Sequence, residues 1–172
     1  MRKTARQIIA SALFIGLAGL QASVQAAGLA SPKGPPILQV SGAIEQTNAE
    51  GAAVFDRPML EGLGTITIRT STPWHEGVVE FEGVLLKDVM SAVGANGTEV
   101  TATALNDYSS TLPISDFGKF DVILAMKKNG ADMPIRDKGP LFIIYPYDSD
   151  PSLRNNDYYS RSVWQVKELR VR

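Results

Sequence analysis

Residues 122–146 read VILAMKKNGADMPIRDKGPLFIIYP, and this stretch decides the fold class. It opens with a continuous apolar run at residues 122–126 and closes with another at 141–145. Short apolar runs bounded by turn residues are typical of buried strands. Asn129-Gly130 lies between the two runs and is the strongest short-range signal for a β-hairpin. The stretch therefore predicts a domain built mainly from strands.

The same pattern continues on both sides of this stretch. An amphipathic helix is predicted at residues 84–93, where apolar residues recur at helical spacing and Gly94 follows as the C-terminal stop. A helical turn is predicted at 115–118, and a long polar loop at 148–157. Further strands are predicted at residues 37–42, 64–70, 100–105, 109–114 and 163–171, with a brief one conceivable at 52–55. About eight strands with one clear helix predict a strand-rich α+β fold.

The first 26 residues have the three parts of a cleavable secretory signal peptide. Arg2, Lys3 and Arg6 form a positive start, an apolar stretch follows, and Val24 and Ala26 supply the small residues of a cleavage site. The alternative is a membrane anchor, but the apolar run is shorter than the roughly 20 residues that a span requires. We expect export to the periplasm, a flexible lead-in at residues 27–36, and one domain at 37–172.

Composition excludes several kinds of site. Removal of the leader leaves 14 Lys and Arg against 18 Asp and Glu, so a nucleic-acid or anionic-lipid partner is not expected. The chain has no cysteine, which excludes thiolate ligands, iron–sulfur clusters and thiol nucleophiles. It has a single histidine, His75, which excludes a polyhistidine metal site. A serine hydrolase would need His75 as its base, with Ser71 and a carboxylate nearby.

Loop segments that combine aromatic and charged residues are the best candidates for a ligand site. Aromatic faces stack on planar heterocycles, while Arg donates in a fork to carbonyls, ring nitrogens or phosphates. Ordinary structural roles compete with this interpretation: Trp164 in an alternating strand favours the core, Trp74 fits either role, and Arg136 and Arg161 could be surface cations. The candidate residues are Trp74, Asp107, Tyr108, Arg136, Asp137, Arg161, Ser162 and Trp164.

From Gly64 to its end, the chain resembles the molybdopterin-binding domain of the sulfite oxidase family of molybdenum oxidoreductases. The resemblance rests on four pieces in order: an F-x-G-V-x-L segment at residues 81–86, an A-x-x-x-N-G hairpin at 125–130, a G-P-L strand at 139–141, and Trp164 followed by Val171. It implies the strand-rich fold of that domain and a pocket shaped for a pterin ring.

One departure from the family bears on chemistry. In the family, a cysteine thiolate placed just past the strand before the helix ligates molybdenum. The matching strand here is at residues 65–69, and Thr70-Ser71-Thr72-Pro73 follows it. Hydroxyls are poor substitutes for a soft thiolate. The basic cluster that grips the cofactor's phosphate in the family is also thin here, so the resemblance implies no bound molybdenum cofactor.

Within this fold, the chain is similar to periplasmic pterin-binding regulators. That similarity implies a non-enzymatic protein that binds a reduced pterin and contacts the periplasmic domain of an inner-membrane cyclic-di-GMP enzyme, a cyclase or phosphodiesterase of the kind that controls biofilm formation. The eight candidate residues would form the pterin pocket, and the loop at 148–157 would order on binding. The alternatives are a molybdenum-dependent oxidoreductase or redox subunit without the thiolate, and an interaction domain without a ligand.

Overall fold

The computed structural model describes residues 28–172, so the predicted signal peptide lies outside the described residues. Single turns of 3-10 helix occupy Ile135–Asp137 and Pro151–Leu153. None of the helices in the described part is long and apolar enough to cross a bilayer.

Residues 28–172 contain ten strands, which are β1 Leu38–Gly42, β2 Ala52–Phe55, β3 Thr65–Thr72, β4 His75–Leu85, β5 Glu99–Ala104, β6 Ser109–Pro113, β7 Ile123–Lys128, β8 Ala131–Asp132, β9 Phe142–Ile144 and β10 Val166–Val171. Four short helices are α1 Arg57–Glu61, α2 Leu86–Ala92, α3 Ser115–Lys119 and α4 Asn156–Arg161.

The strands form two five-stranded sheets. The first has the order β2-β1-β10-β5-β6, in which β1 and β10 run parallel and join the two ends of the described chain. The second has the order β3-β4-β7-β8, with β9 also paired to β7. The main core contains apolar residues of both sheets, and a smaller cluster packs around Phe81, Ile123 and Phe142. This arrangement confirms the strand-rich α+β prediction.

Two glycine-containing features of the family resemblance have direct structural reasons. Asn129 and Gly130 both have positive φ, 50° and 77°, and make the tight turn from β7 to β8. Gly83 lies where β4 bulges against β7, and a Cβ at this position would collide with the Leu124 carbonyl. A side chain at Gly83 would force the two central strands of the second sheet apart.

Three sequence-based boundaries are wrong. The helix predicted at 84–93 begins two residues later than expected, at Leu86, because β4 runs for eleven residues through Leu85. Therefore the strand that directly precedes this helix is β4, and the Thr70-Ser71-Thr72 segment lies one strand earlier. The polar loop at 148–157 contains a 3-10 turn and the start of α4, which Asn155 caps by accepting from two backbone amides. The last strand begins at Val166 rather than at residue 163.

Residues 28–36 form no helix or strand but have two anchor points. The buried carboxylate of Asp56 accepts from the backbone amides of Lys33 and Gly34, at 2.7 and 2.8 Å, and from Met59 at the start of α1. Asn48 donates to the Ala30 carbonyl. The amide of Gly34, followed by that of Met59, holds the pKa of Asp56 below its usual range. One acidic side chain thus caps α1 and fastens the segment that precedes β1.

Candidate functional site: an aromatic cleft

Trp74 is the centre of an aromatic cluster at the tip of the β3–β4 hairpin. Pro73 and Trp74 form the two-residue connection between the strands. The half-buried indole packs against both the main core and the smaller cluster. Its ring centroid lies 5.5–6.3 Å from four other rings, which are Phe142, Trp164, Tyr159 and Tyr147. The sequence did not decide whether Trp74 belongs to the core or to a ligand site. In the structure the residue does both, since it packs against the core and lines a cleft.

A cleft of about 280 Å³ opens beside this cluster. This volume is close to the lower end of the roughly 300–1,000 Å³ typical of small-molecule sites. None of the residues that line it carries a formal charge. Its side-chain polar atoms come instead from one amide, two phenols, two aliphatic hydroxyls and two indole N–H groups. The lining residues are Trp74, Ala104, Asn106, Tyr108, Tyr159, Ser160, Ser162 and Trp164.

Trp164 forms an exposed wall of the cleft. It is 37 % exposed, which corrects the expectation that it belongs to the core. The reason lies in the backbone: Trp164 makes only an isolated bridge to Phe142, and Gln165 then takes a positive φ of 54° before β10 begins. The strand alternation that pointed Trp164 inward therefore does not apply to it. Lys138 lies over its ring, 5.7 Å from the centroid.

Tyr108 forms part of the opposite wall and is 50 % exposed. Its hydroxyl donates to the Ser160 carbonyl at 3.1 Å, which links the β5–β6 turn to α4. Ser162 follows α4 and is buried, and it shares a hydrogen bond with the Tyr147 hydroxyl while donating to the Tyr158 carbonyl. Burial raises the pKa of Tyr147 well above its usual range, so this phenol stays protonated. These bonds fix the position of α4 beside the cleft.

The structure brings four of the eight predicted site residues together in the cleft: Trp74, Tyr108, Ser162 and Trp164. The other four lie outside its lining. Asp107 pairs with Lys167, and Asp137 pairs with Lys128. Each lysine lowers the pKa of its partner carboxyl.

The two arginines of the predicted set also point elsewhere. Arg161 donates to Asp116 at 2.9 Å and lies over the Tyr158 ring. Asp116 is buried and also accepts from the Tyr145 hydroxyl, so this pair anchors α4 to the core. Arg136 is exposed in the 3-10 turn and has no ion pair among the described residues.

Sequence reasoning missed three polar or aromatic lining residues: Asn106, Tyr159 and Ser160. Asn106 begins the tight turn in which Asp107 has a positive φ, and an Asn-Asp pair between two predicted strands is a usable signal for such a turn. Tyr159 and Ser160 belong to α4, which the sequence interpretation placed in a loop. Recognising Asn155 as a helix cap would have placed them on one short helix.

A polar cluster lies beside the cleft, at the end of β3, and we call it the polar clasp: Thr70, Ser71, Thr72, His75, Asp148 and Arg154. Asp148 accepts from the backbone amide and hydroxyl of Ser71 and from Arg154, while its own amide donates to Thr70. The two hydrogen bonds from Ser71, followed by Arg154, hold the pKa of Asp148 below its usual range. His75 bonds Thr72 at 2.8 Å. Ser71 therefore bonds a carboxylate rather than the histidine, which is not the arrangement of a hydrolase nucleophile and base.

The donor set of the polar clasp does not fit a molybdenum centre. Its hydroxyls are hard ligands already engaged with protein partners, and a thiolate is absent from the whole sequence. No group of three or more potential metal-ligating side chains occurs within residues 28–172. In contrast, the neutral aromatic cleft fits a planar heterocycle. The residues present therefore suit the pterin part of a molybdopterin but not its metal.

Comparison with protein families identifies the domain. The family model described as "oxidoreductase molybdopterin binding domain" matches residues 61–147, which is half of the chain. The chain belongs to this family. The matched segment contains all five strands of the second sheet, β5 and β6 of the first, and half of the residues that line the cleft, which are Trp74, Ala104, Asn106 and Tyr108. The resemblance inferred from the four sequence motifs is confirmed.

A solved structure shows the same fold. The sulfane dehydrogenase SoxCD from Paracoccus pantotrophus superposes with a TM-score of 0.57 at 19 % identity, over 78 % of this chain. The chain spans only 37 % of the length of that SoxCD chain. Among curated proteins, none matches the sequence. The domain is thus a molybdopterin-binding oxidoreductase-like fold, and the comparisons leave its own activity to be proposed.

Proposed function

We propose that this protein binds a reduced pterin in the aromatic cleft without molybdenum, in the periplasm, and relays its ligand state to the periplasmic domain of an inner-membrane cyclic-di-GMP enzyme. The observation that carries the proposal is the composition of the cleft. It combines four aromatic side chains, Trp74, Tyr108, Tyr159 and Trp164, with neutral hydrogen-bonding groups and no charged lining residue. Such a site suits a neutral, planar, hydrogen-bonding ring.

The cleft supplies both kinds of contact that a pterin needs. The exposed indole of Trp164 offers a stacking face. The Asn106 side chain accepts from the Tyr108 amide, which leaves its NH2 group to donate to a ring carbonyl. The Ser160 hydroxyl donates to the Asp157 carbonyl, which leaves its oxygen to accept from a ring amino group. Because the nearby carboxylate Asp107 and the guanidinium of Arg161 are paired with other residues, a ring without phosphate suits the site better than a phosphorylated cofactor.

Helix α4 is the element through which occupancy would reach a partner. Tyr159, Ser160 and Ser162 line the cleft, while Arg161 in the same segment reaches the buried Asp116. A ligand shifts a protein only by its differential affinity for two states, so contacts that order α4 would favour the partner-binding state. This role replaces the expected ordering of the whole loop at 148–157, most of which is already held by caps.

Ligand binding tests the proposal directly. Titration of purified protein with tetrahydropterin under anaerobic conditions, followed by tryptophan fluorescence and calorimetry, should give saturable one-to-one binding. Trp164→Ala should weaken that binding about 10- to 100-fold, because stacking of a heterocycle on an aromatic side chain contributes about 1–3 kcal/mol. Val78→Ala, at a 58 % exposed site outside the cleft, is the control and should bind normally. Equal affinity in all three proteins would refute the cleft as the pterin site.

Family membership favours one second candidate, an oxidoreductase or redox subunit that holds the molybdenum cofactor without a thiolate. Protein purified from a host that makes this cofactor distinguishes the two proposals. We expect a fluorescent pterin, identified by mass spectrometry, and substoichiometric molybdenum on the same sample. Stoichiometric molybdenum would favour the oxidoreductase.

A further inference from the structure

The large exposed apolar side chains of the described residues are concentrated on one face. Of five such residues, Leu105, Ile135 and Trp164 adjoin Gln165, and Tyr108 lines the aromatic cleft together with Trp164. Backbone and side-chain bonds of Gln165 tie this face together, since its carbonyl accepts from the Leu105 amide and its side chain donates to the Ile135 carbonyl at 2.7 Å. Single exposed apolar residues are ordinary, but a contiguous group indicates an interaction site.

A second hollow of about 390 Å³ lies on this face next to the aromatic cleft. Leu105 lines the second hollow and Asn106 lines the cleft, so the two share the β5–β6 turn as a wall. The rest of its lining is mainly apolar and includes Pro36, Ile37, Val54, Pro140 and Val166. Ile135 stands at its rim and is 57 % exposed. The hollow has the size and lining to receive an apolar side chain.

The charge around this face is opposite to that of the domain as a whole. Residues 28–172 carry an excess of four acidic side chains. On this face the two carboxylates, Asp107 and Asp137, are each paired with a lysine. Arg136 and Lys138 remain as cations without an ion pair among the described residues, and Lys138 lies over the Trp164 ring. A positive apolar face on an acidic domain is complementary to an acidic partner surface.

We infer that this face, from Trp164 across Ile135 to the second hollow, docks an acidic protein surface that inserts an apolar side chain beside Leu105 and Ile135. The inference rests on the proposed function for the partner's identity, the periplasmic domain of an inner-membrane cyclic-di-GMP enzyme. Because Trp164 belongs both to the cleft and to the docking face, a bound ring would touch a residue that the partner also contacts. Ligand and partner would then be coupled through one side chain.

The test uses the mature protein and the recombinant periplasmic domains of the host's inner-membrane cyclic-di-GMP enzymes, with affinity measured by surface plasmon resonance. One domain should bind, with an association rate that falls as salt rises. Ile135→Asp and Arg136→Glu should each weaken binding about tenfold or more, as expected for anchors of an interface. The matched controls Val78→Asp and Arg69→Glu change an exposed apolar and an exposed basic residue on the second sheet and should leave the affinity unchanged.

Tetrahydropterin binding by Ile135→Asp separates this inference from the proposed function, because Ile135 does not line the cleft. Normal pterin affinity with lost partner affinity supports the docking face. Three outcomes would overturn it. Both variants could retain partner binding, or the protein could bind pterin while no periplasmic domain recognises it. The third is a homodimer that Ile135→Asp dissociates. Docking that depends on Ile135 in a protein unable to bind pterin would leave the face in place and refute the proposed ligand.

Discussion

The polar clasp and the aromatic cleft are neighbours that differ in the surface they expose. In the clasp, Ser71, Asp148 and Arg154 bond one another, so their hydrogen-bonding capacity is used within the protein. In the cleft, Trp164 and Tyr108 are 37 % and 50 % exposed and leave aromatic surface open. One of these regions is closed on itself, while the other is available to a ligand.

Under the proposed function, this difference would show how a cofactor-binding fold can keep a ring site without a metal. The metal and the ring of a molybdopterin make separate demands, one for a soft ligand and one for aromatic and neutral polar surface. The clasp does not meet the first demand, because it offers only hydroxyls that Asp148 and His75 already engage. The cleft still meets the second demand. The two regions should therefore respond differently to substitution and to pH.

Trp74→Ala should have the largest effect, because Trp74 joins the cleft to both apolar clusters. Loss of its contacts with four rings should destabilise the protein by about 3 kcal/mol, the lower end for large-to-small aromatic changes. Thermal unfolding should show this as a fall in Tm of about 6–12 °C. Tetrahydropterin binding should be lost in the same variant.

Trp74→Phe is the control for this change, since it keeps a ring in the cluster and should recover most of the stability. An unchanged Tm in Trp74→Ala would mean that the cleft is not built on the core. The contrast with the clasp would then lose its structural basis.

Asp148→Ala should have a smaller effect, confined to the clasp. It removes the acceptor for Ser71 and Arg154 at a largely exposed site, so we expect a loss of about 1 kcal/mol in the free energy of unfolding. Chemical denaturation measures it, with Glu76→Ala, at an exposed acidic residue of the β3–β4 hairpin, as the control. Affinity for tetrahydropterin should stay within about twofold of wild type, because Asp148 does not line the cleft. A large loss of affinity would show that the two regions are coupled.

Much of the fold could be predicted from local sequence signals. The Asn129-Gly130 hairpin, the apolar run around Phe142 and the left-handed Gly94 after α2 follow from turn chemistry and burial that act within a few residues. The β4 strand could not be predicted in full, because its first half, from His75 to Glu80, is mostly exposed and has no strict alternation. Its strand conformation is determined by pairing with β3, which is a tertiary effect.

The candidate site was predicted in part, and the reason is similar. Aromatic candidates in turns, such as Trp74 and Tyr108, lie beside the cleft, because turns cluster at one end of a sheet. The charged candidates lie outside its lining, because sequence does not show which charge pairs with which. Arg161 bonds Asp116, which lies 45 positions away, and the sequence holds no local signal for that pair.

The smallest expected effect is a pH dependence at the edge between the two regions. Burial, followed by the charges of Lys128 and Lys138, lowers the pKa of His75 below its usual 6.5. The folded state therefore favours the neutral ring, whereas the unfolded chain takes up a proton near pH 6.5. The free energy of unfolding should be constant above that pH and should decline slightly as pH falls from 6.5 toward the lowered folded pKa.

His75 is the only histidine in the chain, so denaturant titrations between pH 7.5 and 5.5 should assign the decline to it, and His75→Gln should flatten the profile. The pH profile of the affinity for tetrahydropterin should be the same in wild type and in His75→Gln over this window, because His75 does not line the cleft. An affinity that falls with protonation of His75, and is restored in His75→Gln, would place the histidine in the ring site and remove the boundary between clasp and cleft.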